Sequence, residues 1–181
     1  MRAALTPYIA KAISSPLTRQ LRRGLRARQA RLRGIERQVD VYLNPRDPHG
    51  YLLLQVLPSL GERFSLSFNY HTVTSLQDDM FPEEALWQAW AINDARDLAR
   101  LYRLDFPEGD PALPDSAVHN AACRMALSED EPEFAEKALE TLHGLWHGEL
   151  PSEEPPALDS ASADARIARN EARLHEAGHY L

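Results

Sequence analysis

Two short segments of the chain alternate apolar and polar residues, the pattern typical of a half-buried β-strand. The first is VDVYL, residues 39–43, and the second is RFSLSFNYHTV, residues 63–73. The residues on one side of the second segment are large and apolar: Phe64, Leu66, Phe68 and Tyr70. We therefore predict one strand at 39–43 and another within 63–73.

Apolar residues recur at helical spacing through most of the rest of the sequence. A helix is predicted between the two strands, with Gly61 as its end, because glycine commonly follows the last turn of a helix. A longer helix is predicted from Pro82 to about the segment DFPEGDP, with one side formed by Trp87, Ala91, Ala95, Leu98 and Tyr102. Further helices are predicted at about 116–127, at 133–146 with Gly148 closing it, and at 163–177 after a Pro- and Ser-rich connector at 151–162.

The first 40 residues are strongly basic, with ten Arg and Lys against two acids, whereas the remainder has ten bases and twenty-five acids. Leucine and isoleucine recur at helical spacing within this basic part and predict a cationic amphipathic helix over about 15–38. A charged face packed on the acidic body is one interpretation; binding of residues 2–37 to an anionic membrane surface or to nucleic acid is the other. The absence of aromatic residues between positions 9 and 41 argues against nucleic acid.

The overall composition, 44% hydrophobic and 26% charged, is ordinary for a folded domain. No apolar run approaches the length that spans a bilayer, and no apolar block follows the first basic residues as it would in a secretory signal. We therefore expect a cytoplasmic protein. Cys123 is the only cysteine, so disulfide exchange through a cysteine pair within the chain is excluded, and we interpret Cys123 as a small buried residue.

The predicted order of strand, helix, strand directs attention to the elbow where the first strand meets the first helix. Folds of this kind place ligands beyond the carboxyl ends of their strands. The elbow sequence is NPRDPHGY, residues 44–51, and it supplies an acid and a histidine at the start of a helix.

The segment VDVYLNPRDPHGYLLLQVLP resembles the opening of the DsbA-like branch of the thioredoxin superfamily, in which a strand leads into a Cys-Pro-His-Cys turn and a helix with an internal proline. Asp47, Pro48, His49 and Gly50 would occupy that turn, and Pro58 the internal proline. The later helical segments are similar to the inserted helical domain of kappa-class glutathione transferases and hydroxychromene carboxylate isomerases. The resemblance covers about residues 39–180. It implies an α/β, thioredoxin-like fold of DsbA type with a helical insertion, mostly helical by content.

The departures from this resemblance concern the chemistry of the elbow. In redox members a cysteine thiolate is stabilised at the helix N-terminus. Asp47 stands in that place here, where it can cap the helix but cannot exchange disulfides. A fixed carboxylate also opposes formation of a glutathione thiolate beside it. The protein is therefore predicted to be a redox-inactive binding or scaffold module; a glutathione-dependent isomerase or transferase is the alternative, and the assignment as an enzyme stays open.

The candidate catalytic residues are Asp47 and His49. His49 could act as a general base near neutral pH if it faces a cleft, but the sequence identifies no carboxylate to orient it. The candidate binding residues around them are Asn44, Pro48, Gly50 and Tyr51. No cofactor is assigned firmly, glutathione being the one that the resemblance suggests, and the ligand could be a small molecule or a peptide.

The C-terminal sequence HEAGH, from His175 to His179, has the spacing of a zinc protease motif. A catalytic zinc needs a third protein ligand, and only two residues follow His179. A zinc hydrolase is therefore kept only as a second alternative. HGLWH, from His143 to His147, has the same spacing without the glutamate and is weaker still, so no metal is assigned.

The resemblance leaves the closing strand, strand and helix of a thioredoxin-like fold without counterparts. Five parts are predicted: a basic segment at 1–38, a strand–helix–strand unit at 39–73, a helical insertion at 74–150, the connector at 151–162 and a last helical part at 163–181. A strand at 39–43 would then lack a partner on one edge, and unpaired edges associate with other strands. We expect self-association through that open edge of the sheet; coverage by the N-terminal amphipathic helix and partial disorder with aggregation are the alternatives.

Overall fold

The computed structural model describes residues 37–75, 84–150 and 157–177. The predicted N-terminal helix lies outside these residues except for Arg37 and Gln38, which are in a strand. The chain divides into two compact units, Met1–Gln38 and Val39–Leu181, and nearly all described residues belong to the second.

Two parallel strands, β1 (Arg37–Leu43) and β2 (Leu66–Thr72), pair into a small sheet and are joined by helix α1 (Pro48–Phe64). Just beyond β2, the N–H of Val73 donates to the carbonyl of Leu43 at 3.0 Å. Both predicted strands are confirmed, as is an α/β chain that is mostly helical.

Helix α1 begins after Asp47, whose carboxylate accepts a hydrogen bond from the N–H of His49, and Pro48 is its first residue. The predicted end at Gly61 is wrong. The helix continues to Phe64 and ends where Ser65 adopts the left-handed conformation (φ 52°), so that the N–H of Ser65 donates to the carbonyl of Gly61. Gly61 thus accepts the bond that closes the helix, rather than following its last turn.

Four helices follow in the described part of the chain: α2 (Glu84–Tyr102), α3 (Asp115–Ser128), α4 (Phe134–His147) and α5 (Ala157–Ala177). The predicted stop of α4 at Gly148 is confirmed by its φ of 72°. The predicted connector is wrong at residues 157–162, which form the start of α5. Its prolines end at Pro156, and the Ala, Leu, Asp and Ser that follow are compatible with the first turns of a helix.

The main core lies between the sheet and helices α1, α2, α3 and α4, and its largest buried side chains include Tyr51, Leu54, Phe134, Leu142 and Trp146. A second cluster joins α3 to α5: Ala122, Cys123, Ala126, Ala163 and Ile167. Cys123 is fully buried there, as predicted. On α2, Ala91 and Ala95 are buried as predicted, but Tyr102 is 66% exposed.

Polar side chains cover the outer edge of β2 at its C-terminal end. The N–H of Thr72 donates to Glu129 at 2.6 Å, and the carbonyl of Thr72 accepts from Asn170 at 3.0 Å. Just beyond the strand, the main-chain N–H groups of Thr74 and Ser75 donate to Glu171 at 2.9 and 2.8 Å. Burial alone would raise the pKa of Glu171, but these hydrogen bonds outweigh it and lower the pKa. Side chains therefore satisfy the main chain at the end of β2, where a further strand could otherwise pair.

None of the described helices has both the length and the apolar character required to cross a bilayer.

Candidate functional sites

The elbow between β1 and α1 is held by its own side chains. Asp47 accepts from the N–H of His49 at 3.0 Å, and the side-chain oxygen of Asn44 accepts from the N–H of Arg46 at 2.9 Å. Asn44 is buried and also donates to the carbonyl of Thr74 at 3.4 Å. Asp47 is therefore a helix cap, and Asn44 ties the elbow to the end of β2.

The imidazole of His49 lies between two carboxylates. Its Nε2 is 2.8 Å from Oδ2 of Asp94 on α2, and its Nδ1 is 3.5 Å from Oδ1 of Asp47. The hydrogen bond to Asp47 and that to Asp94 outweigh burial and raise the pKa of His49 to about 9. His49 is consequently protonated at neutral pH, which makes it a poor general base. The sequence identified no carboxylate to orient His49, because Asp94 lies 45 residues away and reaches it only through the fold.

A groove of about 1270 Å³ begins at the elbow and runs beside β1. Asp47, His49 and Gly50 line its elbow end. A side chain at Gly50 would meet only ordinary contacts, the nearest being Asp47 Oδ2 at 3.4 Å, so the backbone there is not unusually crowded. The remaining wall residues are mostly apolar and include Leu52, Leu53, Val56, Leu57, Phe68, Leu98, Tyr102, Leu104, Leu174 and Ala177.

Four consecutive residues of β1, 39–42, line this groove. Successive side chains of a strand point to opposite faces of a sheet, so a cavity over one face would be lined by alternate residues only. The groove therefore follows the outer edge of β1 and opens to both faces of the sheet. Helices α1 and α2 form its wall on one face, and α5 forms its wall on the other.

The α5 side of the groove carries a fixed ion pair. Oδ1 of Asp40 accepts from Arg173 at 3.2 Å, lies 3.1 Å from His71 Nε2 and accepts from Asn69 at 3.2 Å. The hydrogen bond from His71, followed by that from Asn69, lowers the pKa of Asp40. The ring of Tyr42 lies beside that of His71, with centroids 4.9 Å apart. Asp40 is thus a hydrogen-bonded carboxylate that forms part of the α5 side of the groove.

Only one of the four predicted binding residues lines the groove. Gly50 lines the groove together with Asp47 and His49, whereas Asn44, Pro48 and Tyr51 are buried beside it and do not line it. The hydroxyl of Tyr51 instead donates to Asp105, in the segment between α2 and α3. Burial, followed by this hydrogen bond, raises the pKa of Tyr51.

Asp105 is the centre of a second polar cluster that the sequence did not predict. Its Oδ2 lies 3.1 Å from Nδ1 of His143 and 2.9 Å from Nε2 of His147, and the hydroxyl of Tyr51 is 3.2 Å from His143 Nδ1. Burial would raise the pKa of Asp105, but hydrogen bonds from Tyr51, His147 and His143 lower it. The only feature of the sequence that pointed to this cluster was the four-residue spacing of the two histidines in HGLWH. Nothing in the sequence pointed to Asp105.

A third group of side chains joins α3 to α5. His119 Nε2 lies 3.5 Å from the sulfur of Cys123 and 4.0 Å from a carboxylate oxygen of Asp164. Of the HEAGH motif, His175 and Glu176 are described and lie in the last turn of α5, while His179 lies outside the described residues.

The chain matches no protein-family model, and comparison with curated proteins and with solved structures finds no match for it.

Proposed function

We propose that the protein is a redox-inactive binding module that receives an extended polypeptide segment as an added strand beside β1. The observation that carries this proposal is the groove along the outer edge of β1, which opens to both faces of the sheet between helices α1 and α2 and helix α5. We further propose that β1, α1 and β2 are a thioredoxin-like half-fold, in which the groove takes the place of the next strand.

The main chain of β1 offers hydrogen-bonding groups toward the groove. The carbonyl of Leu43 faces β2, and main-chain groups of successive strand residues point to alternate sides. The N–H and C=O groups of Asp40 and Tyr42 therefore point away from β2. Within the described residues β1 pairs with β2 alone. Addition of a strand to such an edge takes its affinity from main-chain hydrogen bonds and its specificity from side-chain pockets.

The dimensions favour a peptide over a small ligand. Pockets for drug-sized molecules have volumes of about 300–1,000 Å³, and this groove, at about 1270 Å³, is larger and follows a strand. The walls also indicate which sequences would bind. One face of the added strand would meet Val39, Val41 and Leu98, and the other face would meet Asp40 and Arg173. Segments that alternate apolar and polar residues fit both walls.

The geometry of the elbow supports glutathione chemistry less well than the groove supports peptide binding. His49 is held by Asp47 and Asp94, so its ring nitrogens are occupied by carboxylates. The N-terminus of α1 is capped by Asp47, which would repel a thiolate placed there. The buried Cys123 lies in the cluster between α3 and α5 and does not line the groove.

The test isolates one main-chain N–H. A library of displayed dodecapeptides would be selected on the full chain, and the selected peptides would be measured against Tyr42→Pro and Tyr42→Ala. Both substitutions remove the ring that lies beside His71, but only proline removes the outward N–H and leaves the ladder to β2 intact. Selected peptides should bind Tyr42→Ala and lose at least about tenfold in affinity for Tyr42→Pro, equivalent to about 1.4 kcal/mol for the lost hydrogen bond.

Amide hydrogen exchange gives a second measurement on the wild-type protein. Binding should slow exchange at the N–H of Tyr42, because that group becomes hydrogen-bonded to the peptide. Peptides that bind both Tyr42 variants equally, with no change in exchange at Tyr42, would show that the edge of β1 is not the binding site. Failure to select any peptide would contradict the proposal directly.

A further inference from the structure

We propose that Asp105, His143 and His147 form a binding site for a divalent transition-metal ion such as zinc. The site is distinct from the groove along β1: its residues come from α4 and from the segment between α2 and α3, and none of them lines that groove. The proposal therefore stands independently of peptide binding.

The donor atoms have the chemistry and the spacing that such an ion requires. Two imidazole nitrogens and one carboxylate oxygen lie within 4.8 Å of one another. Zinc binds nitrogen and oxygen donors at about 2.0–2.2 Å, which places neighbouring donors of a tetrahedral site about 3.3 Å apart. The observed distances from Asp105 Oδ2 are 3.1 Å to His143 and 2.9 Å to His147. Both distances are close to the separation that a bound ion would impose.

Helix α4 sets the positions of the two histidines. Residues four apart on a helix lie on the same face, and the imidazole centroids of His143 and His147 are 4.4 Å apart. This is the arrangement used by helical zinc motifs, in which two histidines at this spacing bind one metal ion. The third donor comes from elsewhere in the chain, which explains why the pattern HGLWH looks incomplete as a sequence.

The backbone at Asp105 is held by a pair of hydrogen bonds from Gln55 on α1. The side-chain nitrogen of Gln55 donates to the carbonyl of Asp105 at 2.9 Å, and the N–H of Asp105 donates to the side-chain oxygen of Gln55 at 2.8 Å. The hydroxyl of buried Tyr51 donates to the carboxylate itself. Asp105 is thus oriented from two sides, and supporting contacts of this kind tune metal affinity.

Three protein donors leave at least one coordination position open. Catalytic zinc sites have this composition, with water or substrate in the remaining position. Asp105 and His143 are about half exposed, and they border a shallow depression of about 370 Å³ that is also lined by Glu136 and Glu140. The open position would therefore be accessible to water or to a small ligand entering from this depression.

The experiment titrates zinc alone into the full chain after treatment with a chelator. Calorimetry should show one equivalent bound, and cobalt substitution should give the visible absorption of nitrogen and oxygen coordination. His143→Ala and His147→Ala should each weaken binding by about a hundredfold or more, because losing even a supporting hydrogen bond costs about 10- to 100-fold. Gln55→Ala should weaken it by about 10- to 100-fold, since Gln55 acts on the metal only through Asp105.

Two control variants address the other candidate donors. His119→Ala removes a donor from the cluster with Cys123 and Asp164, and His175→Ala removes the first histidine of HEAGH. Zinc affinity should be unchanged in both. No binding at micromolar zinc, or binding lost in a control but retained in the two α4 variants, would overturn the proposal. Circular dichroism of each variant distinguishes loss of a ligand from loss of the fold.

Discussion

The side-chain amide of Asn170 donates a hydrogen bond of 3.0 Å to the main-chain carbonyl of Thr72, which lies 98 residues earlier in the chain. The same nitrogen donates to Glu129 at 2.9 Å, and Glu129 accepts from the N–H of Thr72. Both outward main-chain groups of Thr72 are therefore satisfied without another strand. The two edges of the sheet differ at this point: side chains cover the end of β2 at Thr72, whereas the edge of β1 borders a groove.

Replacement of Asn170 by leucine should destabilise the protein. The change leaves the carbonyl of Thr72 buried without this donor, and an unsatisfied buried group costs about 1–3 kcal/mol. Urea unfolding should show a loss of that size in the free energy of unfolding. Arg169→Ala, an exposed change on the same helix, should stay within about 0.5 kcal/mol of wild type. An equal effect of the two substitutions would show that the contact with Thr72 is not the cause.

The stability of the protein should depend on pH through His49. Its folded pKa is raised to about 9 from an ordinary value of 6.5, so the protonated form is stabilised by folding. That contribution is complete below pH 6.5 and is lost as the pH rises through about 9. The free energy of unfolding, measured across this range, should fall as the pH rises. His49→Gln should remove the part of this pH dependence that comes from His49.

An NMR titration of the His49 ring gives a direct check. Asp94→Asn removes a charge that lies 2.8 Å from the imidazole and should lower the midpoint. Asp97→Asn, one turn further along α2 and mostly exposed, should leave the midpoint unchanged. A wild-type midpoint near 6.5 would contradict the arrangement of His49 between two carboxylates.

Tyr51→Phe should reduce stability in metal-free protein. The ring of Tyr51 is buried and packs near that of Phe106, and only its hydroxyl reaches Asp105. Loss of a hydrogen bond to a charged group costs about 1.5–3 kcal/mol. Urea unfolding in the presence of a chelator would measure this loss in the free energy of unfolding. Tyr42→Phe, a change of the same size at a partly buried tyrosine, serves as the control and should cost less.

The purified chain should self-associate if the segment that enters the groove can come from a second copy. Light scattering over a concentration series should then show a dimer or a larger species. Tyr42→Pro should reduce this association and Tyr42→Ala should not, because only proline removes an outward N–H of β1. A monomer at every concentration would rule out a second copy as the occupant and leave a different polypeptide as the partner.

Local pattern was sufficient for most of the secondary structure. Alternation identified both strands, helical spacing identified the described helices, and the sequence Asp47-Pro48 identified the start of α1. These features depend on residues that are close together in the sequence, so the local sequence is sufficient to predict them. The boundaries at Gly61 and at residues 157–162 were wrong because helix ends depend on which carbonyl and N–H groups find partners, and composition does not specify that.

The sites were decided by tertiary structure. His49 and Asp47 are two residues apart and were found together, but Asp94 reaches His49 only because α2 packs beside α1. Likewise the sequence placed His143 and His147 on one helical face, whereas Asp105 joins them through a contact that spans about forty residues. A polar residue on an exposed helix face or in a loop looks the same in sequence whether or not the fold gives it a partner. The chain alone thus determined the strand–helix–strand unit and the absence of a cysteine pair, and packing between distant segments determined which charges meet and which strand edge borders the groove.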